Sequence, residues 1–359
     1  MSNREDWEKS KVRFRALWQR EIIDRCCVAI FAPRDSHYYE QEPFPTDPEE
    51  QEKYWFDGEK VLNRNLERFR HTYFLGDAFP HIFLNLGASG HAGYFRGSRY
   101  QLDHRTVWFS PLIHDWKQDA LQFDLENSLY RKTLDLACFL TEESQGRYFV
   151  SMPDISGNLD ALAHLRGSEN LLTDLILQRP QVHEALDTLQ DIWLKTNRMV
   201  REIVCNNNDG GCTIGWLHTW APGFHAQLQC DLSVMISPEH FSEFAMPELE
   251  EQSRLLDYAL YHFDGIDQLQ HLDMILSLER LKMIQWTCVE GQPPPIEFIP
   301  ELKKIQLAGK GLLLKIESRW LQPLMEQLSS AGLYLVIETS SKDEALQVLK
   351  TAERLTHDY

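Results

Sequence analysis

The sequence predicts an α/β fold: a (β/α)8 TIM barrel forming a single domain, with an N-terminal helical extension. Three observations predict it. Eight short apolar runs read as strands covered on both faces, the pattern of a parallel sheet. Helix-like stretches separate these runs, which is the alternation of a crossover fold. No GxGxxG follows an early strand, which counts against an open dinucleotide-binding sheet.

Residues 1–26 carry Trp7, Phe14, Leu17, Trp18 and Ile22 among charges and read as the helical extension; residues 27–359 read as the barrel. Residues 34–56, with Pro43, Pro45 and Pro48, read as an irregular excursion. The expected strands are VAIFAP (28–33), HIFLNLG (81–87), YFVSMPD (148–154), CTIGWLHTW (212–220), ALYHFDG (259–265), KMIQWTC (282–288), GLLLKIE (311–317) and LYLVIET (333–339). Ser237 with Pro238 opens a helix that runs to Tyr258, and Ser340–Ser341 precede one over 342–355. No Gly/Ser-rich linker divides the chain, so one domain is the simpler reading.

The 359 residues include 43% hydrophobic and 25% charged residues, enough to bury a large core. The formal net charge of -18 disfavours binding to nucleic acid or an anionic membrane surface, while leaving room for a local basic pocket. No apolar run reaches the roughly 18–20 residues that span a bilayer, and the charged start MSNREDWEKSKVRFR does not read as a secretory signal. Seven cysteines in irregular spacing, without CxxC, fit reduced thiols and a cytoplasmic location.

In a parallel barrel the C-terminal strand ends converge on one mouth, and here those ends turn polar. The candidates are Asp154, His218, Trp220, His262, Asp264, Trp286, Cys288, Glu317 and Glu338. Side chains two apart on a strand share a face, so His262 and Asp264 can both point inward before Gly265 turns the chain. Lys315 and Glu317 pair in the same way. Three readings fit His262, Asp264 and Glu338: a metal site of one imidazole and two carboxylates, metal-free acid–base chemistry, or a satisfied polar network. The aromatic segment WLHTWAPGF (216–224), with Trp286, reads either as core or as a wall for a flat or apolar substrate. Cys26 and Cys27 read as structural, Cys288 as a packed thiol, and Glu290 as solvent-exposed.

Four segments carry a family resemblance, over roughly residues 15 to 355. They are REIIDRCCVAIFAP (20–33), DISGNLDALAHLRGSENLLTDLILQRPQV (154–182), QCDLSVMISPEHFSEFAMPEL (229–249) and YHFDGIDQLQHLD (261–273). In order and spacing the chain resembles a divergent member of the uroporphyrinogen decarboxylase superfamily, which includes zinc-type, corrinoid-dependent methyltransferases. The resemblance implies a (β/α)8 barrel. It departs after the first strand, where FAPRDSHYYEQE (31–42) lacks the arginine-rich segment of the decarboxylases and offers only Arg34 and Asp35. By resemblance, His262 falls on the histidine of the methyltransferases' zinc set. Asp264 stands where a cysteine would be, and Glu338 falls close to a late cysteine. The implied ligands are then harder oxygens, so zinc or another divalent ion fits the expectation.

The leading expectation is a metal-dependent, methyltransferase-type group transfer on a small molecule. His262, Asp264 and Glu338 would bind the metal, and His218, Asp231 and Glu317 would be catalytic. Trp220, Trp286, Asp154 and Arg34 would contact substrate. No corrinoid-binding domain is visible in the chain, so a corrinoid would arrive on a separate protein. The first alternative is a metal-free decarboxylase or lyase on a carboxylated, porphyrinogen-like substrate, with Arg34, Lys315 and His218 meeting the developing charge. The second is a non-catalytic binder of a flat ligand.

Overall fold

A computed structural model describes residues 4–357 except Ser36, Gln41 and Glu290, so the expectation for Glu290 lies outside the described residues. The strands are β1 (Cys27–Pro33), β2 (Thr72–Gly76), β3 (His81–Ile82), β4 (Tyr100–Leu102), β5 (Val107–Phe109), β6 (Phe149–Val150), β7 (Cys212–Ile214), β8 (Thr219–Ala221), β9 (His225–Leu228), β10 (Tyr258–Phe263), β11 (Leu281–Trp286), β12 (Gly311–Glu317) and β13 (Leu333–Glu338). The helices are α1 (Arg4–Gln19), α2 (Pro48–Phe56), α3 (Gly58–Arg70), α4 (Ser128–Ser144), α5 (Asn158–Arg166), α6 (Ser168–Leu177), α7 (Arg179–Val204), α8 (Pro238–His240), α9 (Met246–Leu255), α10 (Leu272–Ser277), α11 (Ile299–Leu307), α12 (Leu321–Met325) and α13 (Lys342–Leu355).

The centre is a seven-stranded sheet in the order β2-β1-β13-β12-β11-β10-β9. Every pairing in it is parallel except β1 with β2. From β9 onward, helices carry the chain from each strand to its parallel neighbour, which is why these strands are apolar on both faces. β12 and β13 pair from Leu312↔Leu333 to Glu317↔Glu338, so two acidic strand ends lie side by side.

The expected barrel closure is not formed by the hydrogen-bonded ladder. The seven-stranded sheet ends at β2 and β9, while β3 and β6 form a separate parallel pair. A bridge from Met152 to Ile214 continues that direction toward β7. The physical reason lies in the chain after β1. It returns through α2 and α3 and enters β2 antiparallel, occupying the edge of β1 that closure would need. Gly76 ends β2 with φ +63, and a Cβ there would lie 2.2 Å from the Val28 carbonyl oxygen. Only glycine makes that approach without strain.

Two further expectations change. The run 212–220 is a hairpin: β7 and β8 are antiparallel, joined by a 3-10 turn over Gly215–Leu217. The excursion 34–56 ends in a helix, because Asp47 accepts from Glu49 and Glu50 N–H and Pro48 sits in the first turn. The helix opened by Ser237 forms, passing through a π turn at Phe241–Ala245 into α9, but it ends at Leu255 and Tyr258 opens β10 instead. Ser341 caps α13 by accepting from the Glu344 N–H.

The N-terminal extension is α1. It packs Trp7, Phe14 and Trp18 into an aromatic cluster with Phe79, Phe149, Trp220 and Tyr334. A buried ion pair ties this end together. Asp77 is fully buried and accepts from Arg25 at 2.5 Å, from the Val28 N–H at 3.0 Å, from Ser10 at 3.0 Å and from Arg13 at 3.2 Å. Cys26 and Cys27 are buried beside it, and burial pushes the Cys26 thiol up to about 12, which makes it inert as a nucleophile. No helix among the described residues is long and apolar enough to cross a membrane.

Candidate active site

A convergence of polar groups lies at the C-terminal ends of β9, β10 and β11. Parallel pairing sets His262 of β10 against Gln285 of β11. The Gln285 carbonyl oxygen lies 2.5 Å from His262 Nδ1, while its amide donates to Thr287 Oγ1 at 2.7 Å. With an acceptor facing Nδ1, that nitrogen carries the proton and Nε2 keeps its lone pair. Nε2 faces two carboxylates, Asp264 Oδ1 at 3.8 Å and Asp231 Oδ1 at 4.0 Å.

Asp264 is placed by the end of β10. Its N–H donates to Gln268 at 3.2 Å, and Gly265 follows with φ +80. Asp231 begins the 3-10 turn after β9, and the side chain of Asp160 in the first turn of α5 holds that turn. The two Asp160 carboxylate oxygens accept from the N–H groups of Asp231 at 2.9 Å and Leu232 at 2.7 Å. Gly157, with φ +76, precedes Asp160, and a Cβ there would meet the Asp160 carboxylate at 2.1 Å. A chain of amides completes the cluster. Trp216 donates to Gln227 at 2.6 Å, Gln227 to Gln229, and Gln229 to Asp231 Oδ2 at 3.1 Å. Ser156 reaches both Asp154 at 2.9 Å and Gln229 at 3.2 Å.

The electrostatics follow from crowding acids in a poorly solvated place. Burial lowers the His262 imidazolium from its usual range, with Gln285 and Asp264 acting against that. The ring is therefore neutral near pH 7 and able to take a proton. Asp231 Oδ1 is buried without a hydrogen-bond partner. Its carboxyl is pushed well above the usual range, by burial first and then by Asp160, Asp264 and Asp154. Burial also raises Asp154 to about 6. A neutral imidazole and a carboxyl that holds its proton more tightly than usual thus lie together, the arrangement from which acid–base roles are assigned.

The structure brings together four of the sequence-predicted residues: Asp154, Asp231, His262 and Asp264. It places the others elsewhere. Trp220 is fully buried in the α1 cluster, donating to the Asn208 carbonyl at 2.9 Å and accepting from Trp18 through its own carbonyl. The β7–β8 hairpin reverses the chain and seats Trp220 in that cluster. Trp286 is buried against Phe263 at 5.0 Å and Phe298 at 5.4 Å, on the face of β11 opposite Gln285. Both tryptophans are core rather than a substrate wall. Arg34 is exposed and bound locally, its N–H to His71 O, its Nε to Thr72 O and its guanidinium over Tyr73. Glu317 is exposed and paired with Arg319 at 2.7 Å.

Glu338 does not join His262. It lines a separate cavity of about 570 Å³ with Lys315, Cys288, Glu317 and His218. β13 and β10 stand three strand spacings apart, roughly 14 Å along the sheet. Among the described residues, no group of three or more His, Cys, Asp or Glu is arranged to hold a metal ion. The donors present therefore do not fit the expected His262–Asp264–Glu338 set.

His218 sits between cavities. Its backbone is left-handed at φ +56, its carbonyl accepts from Tyr334 at 2.6 Å, and its ring packs on Phe31 and His81. Burial lowers its imidazolium well below the usual range, aided by His81, Lys315 and Arg68. Lys315 donates to the Trp216 carbonyl and lies 4.9 Å over that indole. Poor solvation lowers its ammonium to about 8. Sequence reasoning missed Asp160, Gln227, Gln229, Gln285 and Thr287 as site residues. Strand register could have pointed to Gln285, but nothing local marks Asp160.

No protein-family model matches the chain, and no curated protein sequence matches it. Solved structures do. The chain is similar to a methyltransferase from Methanosarcina mazei, with a TM-score of 0.56 and 13% identity, over 96% of this chain and 98% of that one. At that identity the likeness is one of fold: a mixed α/β architecture built on a central, mostly parallel sheet.

Proposed function

We propose that the chain is a group-transfer enzyme of the methyltransferase type, acting on a small molecule by acid–base chemistry at His262, Asp231 and Asp264. The observation that carries the reading is the aim of His262. Its Nδ1 is tied to Gln285, and its free Nε2 faces one carboxyl that holds a proton and a second that can stabilise an imidazolium. The fold likeness to a methyltransferase supports the transfer class. We also read the open ladder as an eight-fold barrel whose wall between β1 and β9 is carried by β3 and β6.

In the proposed step, His262 Nε2 takes the proton from the acceptor atom. The acceptor's lone pair forms the new bond to the methyl carbon, and the bond from that carbon to the donor atom breaks with its electron pair left on the donor. Asp231 gives its proton to the donor atom, and the imidazolium returns its proton to Asp231. Asp264 favours the transient imidazolium, and the Gln285 carbonyl fixes the ring. With a corrinoid-carrying partner as the methyl source, Asp231 would keep its proton and the His262 imidazolium would release its own to solvent.

The test is a transfer assay with methylcobalamin or methylamines as donor and small thiols as acceptor, read by mass spectrometry of the products. Wild type is expected to transfer, with a loss of about 100-fold or more in H262Q and D231N. If no donor is demethylated above background, the reading fails. A second reading, a lyase on a carboxylated substrate, is favoured by the Lys315 amine on the 570 Å³ cavity. Release of carbon dioxide from carboxylated porphyrinogens would select it.

A further inference from the structure

A cavity of about 730 Å³ is lined in part by Trp216, the indole that also packs edge-on against His262. One wall is α3, which presents Val61, Arg64, Asn65 and Arg68 to it. These positions fall on one helix face, so the two guanidinium stems start about 5–6 Å apart. The floor includes Gly215, Trp216 and His218, and Glu40 and Glu42 stand on the rim.

Both guanidiniums lack a carboxylate counter-ion among the described residues. Arg64 lies 3.9 Å over the Tyr54 ring and donates to the Tyr54 carbonyl at 3.0 Å. Arg68 donates from one terminal nitrogen to Asn65 Oδ1 at 3.1 Å and the His81 carbonyl at 3.0 Å. A guanidinium has five N–H donors, so the Nε and the other terminal nitrogen of Arg68 have no protein partner among the described residues. Burial alone depresses Arg68, to about 10. Holding a cation in such a place is costly unless an anion arrives to pair with it. In a chain of net charge -18, this pair is a local exception rather than part of a basic surface.

We propose that Arg64 and Arg68 form a seat for one oxyanion group of the substrate, a carboxylate or a phosphate. The fork of a guanidinium matches two oxygens of such a group. The seated molecule extends toward the Trp216–His218 floor, where the Trp216 ring lies 5.0 Å from that of His262. Glu42, the acidic group that acts on Arg64, disfavours a second negative charge at the rim. The seat's role in catalysis rests on the group-transfer reading; its capacity to bind an anion does not.

The test is calorimetric titration of the full chain at low ionic strength with inorganic phosphate and, separately, with malonate. One saturable site is expected for at least one probe, and which probe binds identifies the group. R64Q and R68Q should each weaken binding about tenfold or more, and R68K by several-fold because an ammonium lacks the fork. Circular dichroism checks that the variants fold, and R64Q, at the more open position, serves if R68Q does not. R131Q, an exposed change on α4 outside this cavity, should bind as wild type does. No saturable binding of either probe, or binding indifferent to R64Q and R68K, overturns the seat. Binding with no methyl transfer from any donor would leave the seat standing and sink the group-transfer reading alone.

Discussion

Replacing Gln285 with leucine should make His262 a weaker base, by an amount the structure allows to be worked out. Gln285 is almost fully buried, and its carbonyl oxygen accepts from His262 Nδ1 at 2.5 Å. That bond exists in both protonation states of the ring but is stronger to the imidazolium. A hydrogen bond to a charged group contributes about 1.5–3 kcal/mol, against about 0.5–1.5 for a neutral pair. The difference, about 1–1.5 kcal/mol, is about one pKa unit. Burial already lowers the ring below its usual range, so Q285L should lower it by about one unit more. The assay is a pH titration of the histidine Cε1–H resonance by NMR, assigned by its disappearance in H262N. T287V should shift it less, because Thr287 Oγ1 is 3.4 Å from Nδ1. In activity, the acid limb of the pH profile should move down by the same amount. A resonance that titrates unchanged or at higher pH in Q285L would refute the assignment of the proton to Nδ1.

Three further outcomes follow from the packing. D77A should destabilise the protein by about 3–5 kcal/mol in denaturant melts, because it strands the buried Arg25 and the Val28 N–H. W220A should cost about 3–5 kcal/mol of stability while leaving ligand affinity unchanged, since the indole belongs to the α1 cluster. D154N should change stability in a pH-dependent way. The Asp154 carboxyl, at about 6 in the fold against an ordinary 3.8, binds more protons folded than unfolded between those values. Its contribution therefore falls as pH rises from about 4 to 6, by at most about 3 kcal/mol, and stays low above that. D154N should thus be the more stable form at pH 8 and show no gain at pH 4, as measured by melts at both values.

The sequence by itself determined the elements whose signal is local. Continuous apolar runs at 311–317 and 333–339 marked β12 and β13, because strands covered on both faces have no polar side to alternate with. Ser237 with Pro238, and Ser341, marked helix starts through capping chemistry that acts within three residues. The pairing of His262 with Asp264 was legible for the same reason, since parity along one strand is a local property.

Tertiary structure decided the rest, because those outcomes depend on partners distant in the chain. The run 212–220 reads as one strand by composition, yet Cys212 pairs back onto Ala221, and that reversal sends Trp220 into the α1 cluster rather than the mouth. Glu338 shares the polar character of the other strand ends, but sheet order sets it three strands from His262. Asp160 is 71 residues from the turn it holds. Side-chain chemistry can be read residue by residue, but the register and strand order that make neighbours of distant residues are set by burial of the whole core.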